Sequence, residues 1–138
     1  MPLQLVLDTN VIVSGNISSG SPPHTIMEAC FSGGGPVVVV SRDIIKEYER
    51  KLRGVAPVAA SDRDYTMCMI SRYAKHVEPT ISFQVGTADP DDDKLFEAAV
   101  AAGADCIVSG DSHVLEIGEF RGVEVLKPND AVERIGPL

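Results

Sequence analysis

Four carboxylates stand where apolar neighbours make an ionised side chain costly. Asp8 follows the run Leu3-Gln4-Leu5-Val6-Leu7 and precedes Thr9, Asn10, Val11, Ile12 and Val13. An acid, a hydroxyl and an amide just past a strand suit turn chemistry, since Asp and Asn bond their own backbone. The flanking apolar residues, however, bury the segment, and a buried carboxylate needs a partner such as a cation. Glu47 is placed by helix phase. At about 100° per residue, Ile44, Ile45, Tyr48 and Leu52 share one face, and Arg42, Lys46, Arg50 and Arg53 the opposite one. Glu47 lies at the edge of the apolar stripe, while Glu49 sits with the basic residues. That edge suits a group leaning into a cleft, and it equally suits an i,i+4 surface pair with Lys51.

The run Asp89-Pro90-Asp91-Asp92-Asp93 offers the third acid. Capping by Asp89, Pro90 at the first helical position and the helix dipole account for part of it. Asp92, Leu95, Phe96 and Ala99 follow the i, i+3, i+4, i+7 pattern, so Asp92 heads the buried face. Asp93 lies at its margin and is the runner-up, and Asp91 lies away. The fourth acid, Asp111, comes just after Asp105-Cys106-Ile107-Val108-Ser109 and Gly110. Nearby His113 reads as structural or solvated.

Four converging carboxylates would raise one another's pKa unless a divalent cation neutralised them. Oxygen ligands suit hard cations such as Mg²⁺ and Mn²⁺. Cys30, Cys68 and Cys106 are odd in number, far apart and outside CxxC spacing, so they read as reduced thiols and neither a zinc site nor a disulfide frame.

The elements that must position these groups alternate. Strands are predicted at Leu3–Leu7, Pro36–Val40, Asp105–Ser109 and Val123–Leu126. The continuous apolar runs suit strands buried on both faces. Helices are predicted from Ser21-Pro22 to about Phe31, from the Ser41 cap to about Leu52, from a Ser61 cap to about His76, and from Asp89-Pro90 to Gly103. Short ones follow Ser112 and Asn129. This pattern means an α/β layer fold with a central parallel sheet, and such sheets place sites outside the carboxyl ends of their strands. Asp8 and Asp111 both fall at such ends.

The 138 residues suit one domain over 1–138. With 12 Lys and Arg against 20 Asp and Glu, the net charge of −8 excludes a simple electrostatic glove for nucleic acid. No apolar run approaches the roughly 18 residues of a membrane span, and Met1 to Asp8 starts directly as a strand with no signal-like segment. The expectation is a cytoplasmic protein without membrane contact.

The segments Leu5-Val6-Leu7-Asp8-Thr9-Asn10, Ser41-Arg42-Asp43-Ile44-Ile45-Lys46-Glu47-Tyr48, Asp89-Pro90-Asp91-Asp92-Asp93-Lys94-Leu95 and Ile107-Val108-Ser109-Gly110-Asp111, in that order, resemble the PIN-domain family of metal-dependent ribonucleases. They cover nearly the whole chain and look most like the bacterial and archaeal branch assigned as toxins of toxin–antitoxin pairs. The resemblance implies a three-layer fold with a central parallel sheet flanked by helices, Mg²⁺ or Mn²⁺, and RNA cleavage. It gives Asp8, Glu47, Asp92 and Asp111 the acidic catalytic positions, with Asp8, Asp92 and Asp111 as metal ligands and Asn10 and Ser109 as supporting polar groups. The family often has Thr in place of Ser109 and a further Asp in place of His113. The stretch from Gly54 to Glu78 carries no transferable motif. A homodimer and an inhibitory antitoxin protein are the partners the resemblance implies.

The chemistry expected is phosphodiester hydrolysis, with one or two metal ions held by the carboxylates and Glu47 either a ligand through water or a general base. Arg42, Lys46, Arg50 and Arg53 read first as a solvated helix face and second as a guide for RNA phosphates. Two rivals are weighed. A haloacid-dehalogenase-like phosphotransferase would need a second Asp where Asn10 stands. A non-catalytic PIN-like module for RNA binding or protein interaction would not need all four acids.

Overall fold

The computed structural model of the protein describes residues 2–54 and 58–137. Met1 and Leu138, the ends of the expected 1–138 unit, lie outside the described residues, as do 55–57 of the stretch without a motif. The apolar run before Asp8 forms β1 (Gln4–Leu7), and the valine run forms β2 (Val37–Val40). Cys106–Val108 is β4 and Val123–Leu126 is β6. β1, β2 and β4 lie at the middle of the sheet, and Leu5, Val6, Val38, Val39, Cys106 and Ile107 are each at most 1% exposed. Burial on both faces is why these strands read as unbroken apolar runs.

Two further strands have only two residues each. Lys75–His76 is β3, parallel to β2, and Glu119–Phe120 is β5, antiparallel to β6. The sheet order is β3-β2-β1-β4-β6-β5, parallel throughout except at β5. The chain leaves β1 for β2 and β3, then returns to the other flank of β1 with β4. That reversal opens a crevice at the carboxyl ends of β1 and β4, where α/β sheets form their sites.

Among the described residues, seven α-helices flank the sheet. α1 (Thr9–Ile17) starts directly after β1, where no helix is expected from the sequence, and Asp8 is its N-cap. α2 (Pro22–Cys30) starts after the Ser21 cap, as expected. α3 (Arg42–Gly54) buries Ile44, Tyr48 and Leu52. α4 (Ala60–Tyr73) corrects two expectations. Its N-cap is Ala59, without a side-chain bond, so Ser61 lies inside the helix. It also stops before His76, because Lys75 and His76 pair with Val39 and Val40 in the sheet. The helix expected from Asp89-Pro90 begins as a 3₁₀ turn, Pro90–Asp92, before α5 (Asp93–Ala102), which Gly103 ends at φ 67°. That left-handed conformation favours glycine. α6 (Ser112–Leu115) follows Asp111, and α7 (Pro128–Ile135) begins one residue before Asn129. Among the described residues no helix is long and apolar enough to cross a membrane. Cys30, Cys68 and Cys106 are all free thiols.

Candidate active site

The crevice between β1 and β4 is a cleft of about 350 Å³ lined by Asp8, Thr9, Asn10, Val13, Glu47, Lys51, Asp92 and Asp111. All four acids singled out in the sequence therefore face one space. Asp8 stands just past β1 as the N-cap of α1, Glu47 on α3, Asp92 on the 3₁₀ turn before α5, and Asp111 in the loop that follows β4.

Asp8 is 6% exposed and accepts from three donors. Its Oδ1 accepts from the Thr9 N–H at 2.8 Å. Its Oδ2 accepts from Ser109 Oγ at 2.7 Å and from Asn10 Nδ2 at 3.1 Å. Asn10 in turn takes the Gly110 N–H on its Oδ1 at 3.0 Å, and Ser109 Oγ takes the Asp111 N–H at 3.0 Å. Ser109 and Asn10 thus tie the start of α1 to the loop carrying Asp111. Burial pushes the Asp8 carboxyl above its ordinary 3.8, with the Ser109 and Thr9 bonds pulling back and the charges of Glu47 and Asp111 adding to the rise.

α3 is anchored beneath this network. The Tyr48 hydroxyl, fully buried, donates to the carbonyl of Leu7, one residue before Asp8. One residue earlier on the helix, Glu47 reaches the cleft with a 14% exposed side chain, while Glu49 turns to solvent and pairs with Arg53. Glu47 takes the Thr9 hydroxyl on Oε2 and the Lys94 ammonium on Oε1 at 2.7 Å. The i,i+4 pair with Lys51 does not form; Lys51 lines the cleft instead.

The Asp run divides by role. Asp89 caps the 3₁₀ turn, taking the Asp91 N–H at 2.9 Å. Asp91 is exposed and bonds Lys94 Nζ at 2.8 Å, which holds its carboxyl below the ordinary range. Asp93 faces the other way and accepts from the Val85 N–H at 3.3 Å. Asp92 alone of the run lines the cleft. Burial, then the charges of Asp8, Asp89, Asp111 and Glu47, raise its carboxyl to about 6. Asp111 caps α6 through the His113 N–H at 2.9 Å, and His113 itself is exposed and outside the cleft lining.

The basic stripe of α3 is solvated: Arg42, Lys46, Arg50 and Arg53 are all exposed. Lys46 and Arg50 also line a second groove with Asp43, Asp91, Asp93 and Lys94, and Glu47 belongs to both spaces. Sequence reasoning missed Thr9 and Lys94 as partners of Glu47. Lys94 lies in the quoted Asp run, two residues after Asp92, but nothing in its local pattern points across to α3.

The donor chemistry of the cleft suits a hard divalent cation, with carboxylate oxygens and no thiol or imidazole among its lining residues. Among the described residues, no three Asp, Glu, His or Cys side chains are arranged as a ready-made metal shell.

The model of the PIN domain family matches residues 4–113, a stretch that holds all four acids and both supporting polar residues. The chain belongs to the PIN domain family. Its fold is similar to a chain of VapBC2 from Rickettsia felis, solved bound to a DNA fragment from their promoter. The TM-score is 0.61 at 11% identity, covering 91% of this chain and 98% of that one. It is also similar to PAE2754 from Pyrobaculum aerophilum, with a TM-score of 0.59 at 12% identity, covering 97% and 95%. No curated protein matches the sequence.

Proposed function

We propose that the protein is a divalent-metal-dependent endoribonuclease, acting as the toxin of a toxin–antitoxin pair. The observation that carries the reading is the shared cleft of Asp8, Glu47, Asp92 and Asp111 at the sheet's switch point. Membership of the PIN domain family and the fold's likeness to a VapBC chain support it.

In this reading Asp8, Asp92 and Asp111 hold Mg²⁺ or Mn²⁺. The bound cation supplies charge neutralisation at the scissile phosphate and a more acidic attacking water. Ser109 and Asn10 fix the Asp8 carboxylate, because each donates to Oδ2 and is itself tied to the Asp111 loop. Glu47 orients the attacking water from the α3 wall, its carboxylate held by Thr9 and Lys94. Lys46 and Arg50, on the adjoining groove, receive flanking RNA phosphates, with the exposed Arg42 and Arg53 on the same face of α3. A cytoplasmic location, one domain over 1–138, an antitoxin partner and a homodimer complete the proposal.

The test is cleavage of labelled RNA with Mg²⁺ or Mn²⁺ and with chelator, beside Asp8→Asn and Asp111→Asn. Metal-dependent cleavage lost in both variants is expected. RNA binding without cleavage under every condition would favour the non-catalytic module. Cleavage that survives chelation or either variant would overturn the site.

A further inference from the structure

Lys94 lines the groove that adjoins the acidic cleft and shares Glu47 with it, and the pattern of its bonds differs from a surface ion pair. Its side chain and that of Glu47 are each only 14% exposed. The ammonium sits 2.7 Å from Glu47 Oε1 and 2.8 Å from Asp91 Oδ2, joining α3 to the turn before α5. A neighbouring cation on α3 reinforces it: Arg50 Nη2 lies 3.8 Å from the same Glu47 oxygen. By contrast, no Lys or Arg forms an ion pair with Asp8, Asp92 or Asp111 among the described residues.

The charges of the cleft thus fall into two parts. Glu47 is neutralised from within the chain. Asp8, Asp92 and Asp111 have hydrogen-bond donors or solvent, and although Lys51 lines the same cleft, no ion pair among the described residues reaches them. A carboxylate that bridges an ammonium and a hydroxyl has its charge answered already, and a second divalent ion there would have to displace Lys94 against like-charge repulsion.

We propose that the Lys94 ammonium takes the place of a second metal ion on the Glu47 side, so that the cleft binds a single divalent cation on Asp8, Asp92 and Asp111. The inference rests on the nuclease reading given above and sets its metal stoichiometry. Lys94 is a positioning residue, acting through Glu47.

The test counts Mn²⁺ bound to the full chain by electron paramagnetic resonance, without RNA. The wild-type protein should bind one Mn²⁺ that the Asp8→Asn/Asp111→Asn variant does not. Lys94→Met should bind a second, which disappears again in Lys94→Met/Glu47→Gln, and Lys94→Arg should keep the count at one. If Lys94→Met fails to fold, Lys94→Gln, which keeps a polar end without the charge, takes its place and should also bind a second Mn²⁺. Two cleft ions in the wild type, or a count of one in folded Lys94→Met or Lys94→Gln, would each overturn the proposal. Absence of any Mn²⁺ that depends on Asp8 and Asp111 would instead bring down the metal reading of the site, and this inference with it.

Discussion

Ser109 Oγ donates to Asp8 Oδ2 at 2.7 Å and accepts the Asp111 N–H at 3.0 Å, so one hydroxyl couples two acids that enter from neighbouring strands. Removing it leaves a buried carboxylate with one strong donor fewer. Ser109→Ala should cost about 1–3 kcal/mol of stability, the range for a lost bond to a charged group. It should also raise the Asp8 carboxyl further, since the Ser109 hydrogen bond is what chiefly pulls it down. Metal-dependent cleavage in Ser109→Ala should therefore need a higher pH than in the wild type, whereas Ser109→Thr, which keeps the hydroxyl, should behave like the wild type. A pH–rate profile identical for Ser109→Ala and wild type would refute the coupling.

Glu47 and Glu49 provide a matched pair on one helix. The first lines the cleft at 14% exposure; the second is 51% exposed and bonded to Arg53. Glu47→Gln should lower cleavage by roughly 10²-fold or more, the range for a positioned acid–base group, with the helix content unchanged. Glu49→Gln removes only an exposed i,i+4 pair and should change stability by well under about 1 kcal/mol. Single-turnover cleavage of one RNA by both variants checks this. Comparable losses would mean that the cleft does not set the activity of α3.

Much of this site was legible because burial leaves a phase. Tyr48 and Leu52 fix the rotation of α3, so the edge position of Glu47 follows from spacing alone, and Leu95 and Phe96 do the same for Asp92. The phase survives the 3₁₀ turn because about three residues per turn differs little from 3.6 over so short a piece. α1 left no such trace. Its Val11, Ile12 and Val13 are consecutive, and its more exposed side mixes Val13 and Ile17 with Asn10 and Ser14, so polar and apolar residues do not separate into a period. The strands β3 and β5, at two residues each, are too short to alternate. Lys94 was invisible as a partner of Glu47 because the pair spans two helices brought together only by the fold.

The helix that left no pattern is also tightly packed. A Cβ on Gly15 would lie 2.4 Å from Met27 Sδ and 3.1 Å from the Pro23 carbonyl oxygen, so α1 and α2 meet there almost backbone to backbone. Gly15→Ala gains helix propensity of about 1 kcal/mol but forces the buried Met27 and the start of α2 to move. Overpacking of this kind typically costs about 1–3 kcal/mol, so the net effect should be destabilising. Gly15→Ala should cost less in a Met27→Ala background, where the thioether is gone. Denaturant midpoints for the two single variants and the double one test the contact. Strict additivity would show that Met27 is not the obstacle.

Asp92 should make stability depend on pH in a direction opposite to most carboxylates. Its pKa is about 6 in the folded chain against an ordinary 3.8, raised by burial and then by Asp8, Asp89, Asp111 and Glu47. Below pH 3.8 the group is protonated whether the chain is folded or not. Between 3.8 and about 6 the unfolded chain gives up the proton first, so each step upward in pH favours unfolding, and above about 6 the loss is complete. Asp92→Asn cannot lose a proton. In chelator, its melting temperature should therefore gain on the wild type as pH rises from 4 to 6 and hold that gain above 6.5. Millimolar Mn²⁺ should remove the advantage, because a cation favours the ionised form that only the wild type can offer. Mn²⁺ affinity of the wild type should fall as pH drops through about 6, and Asp92→Asn should be inactive at every pH. Melting curves of the two proteins from pH 4 to 7.5, with chelator and with Mn²⁺, decide the matter. A constant difference across that range would mean that Asp92 does not carry the strain of the cleft.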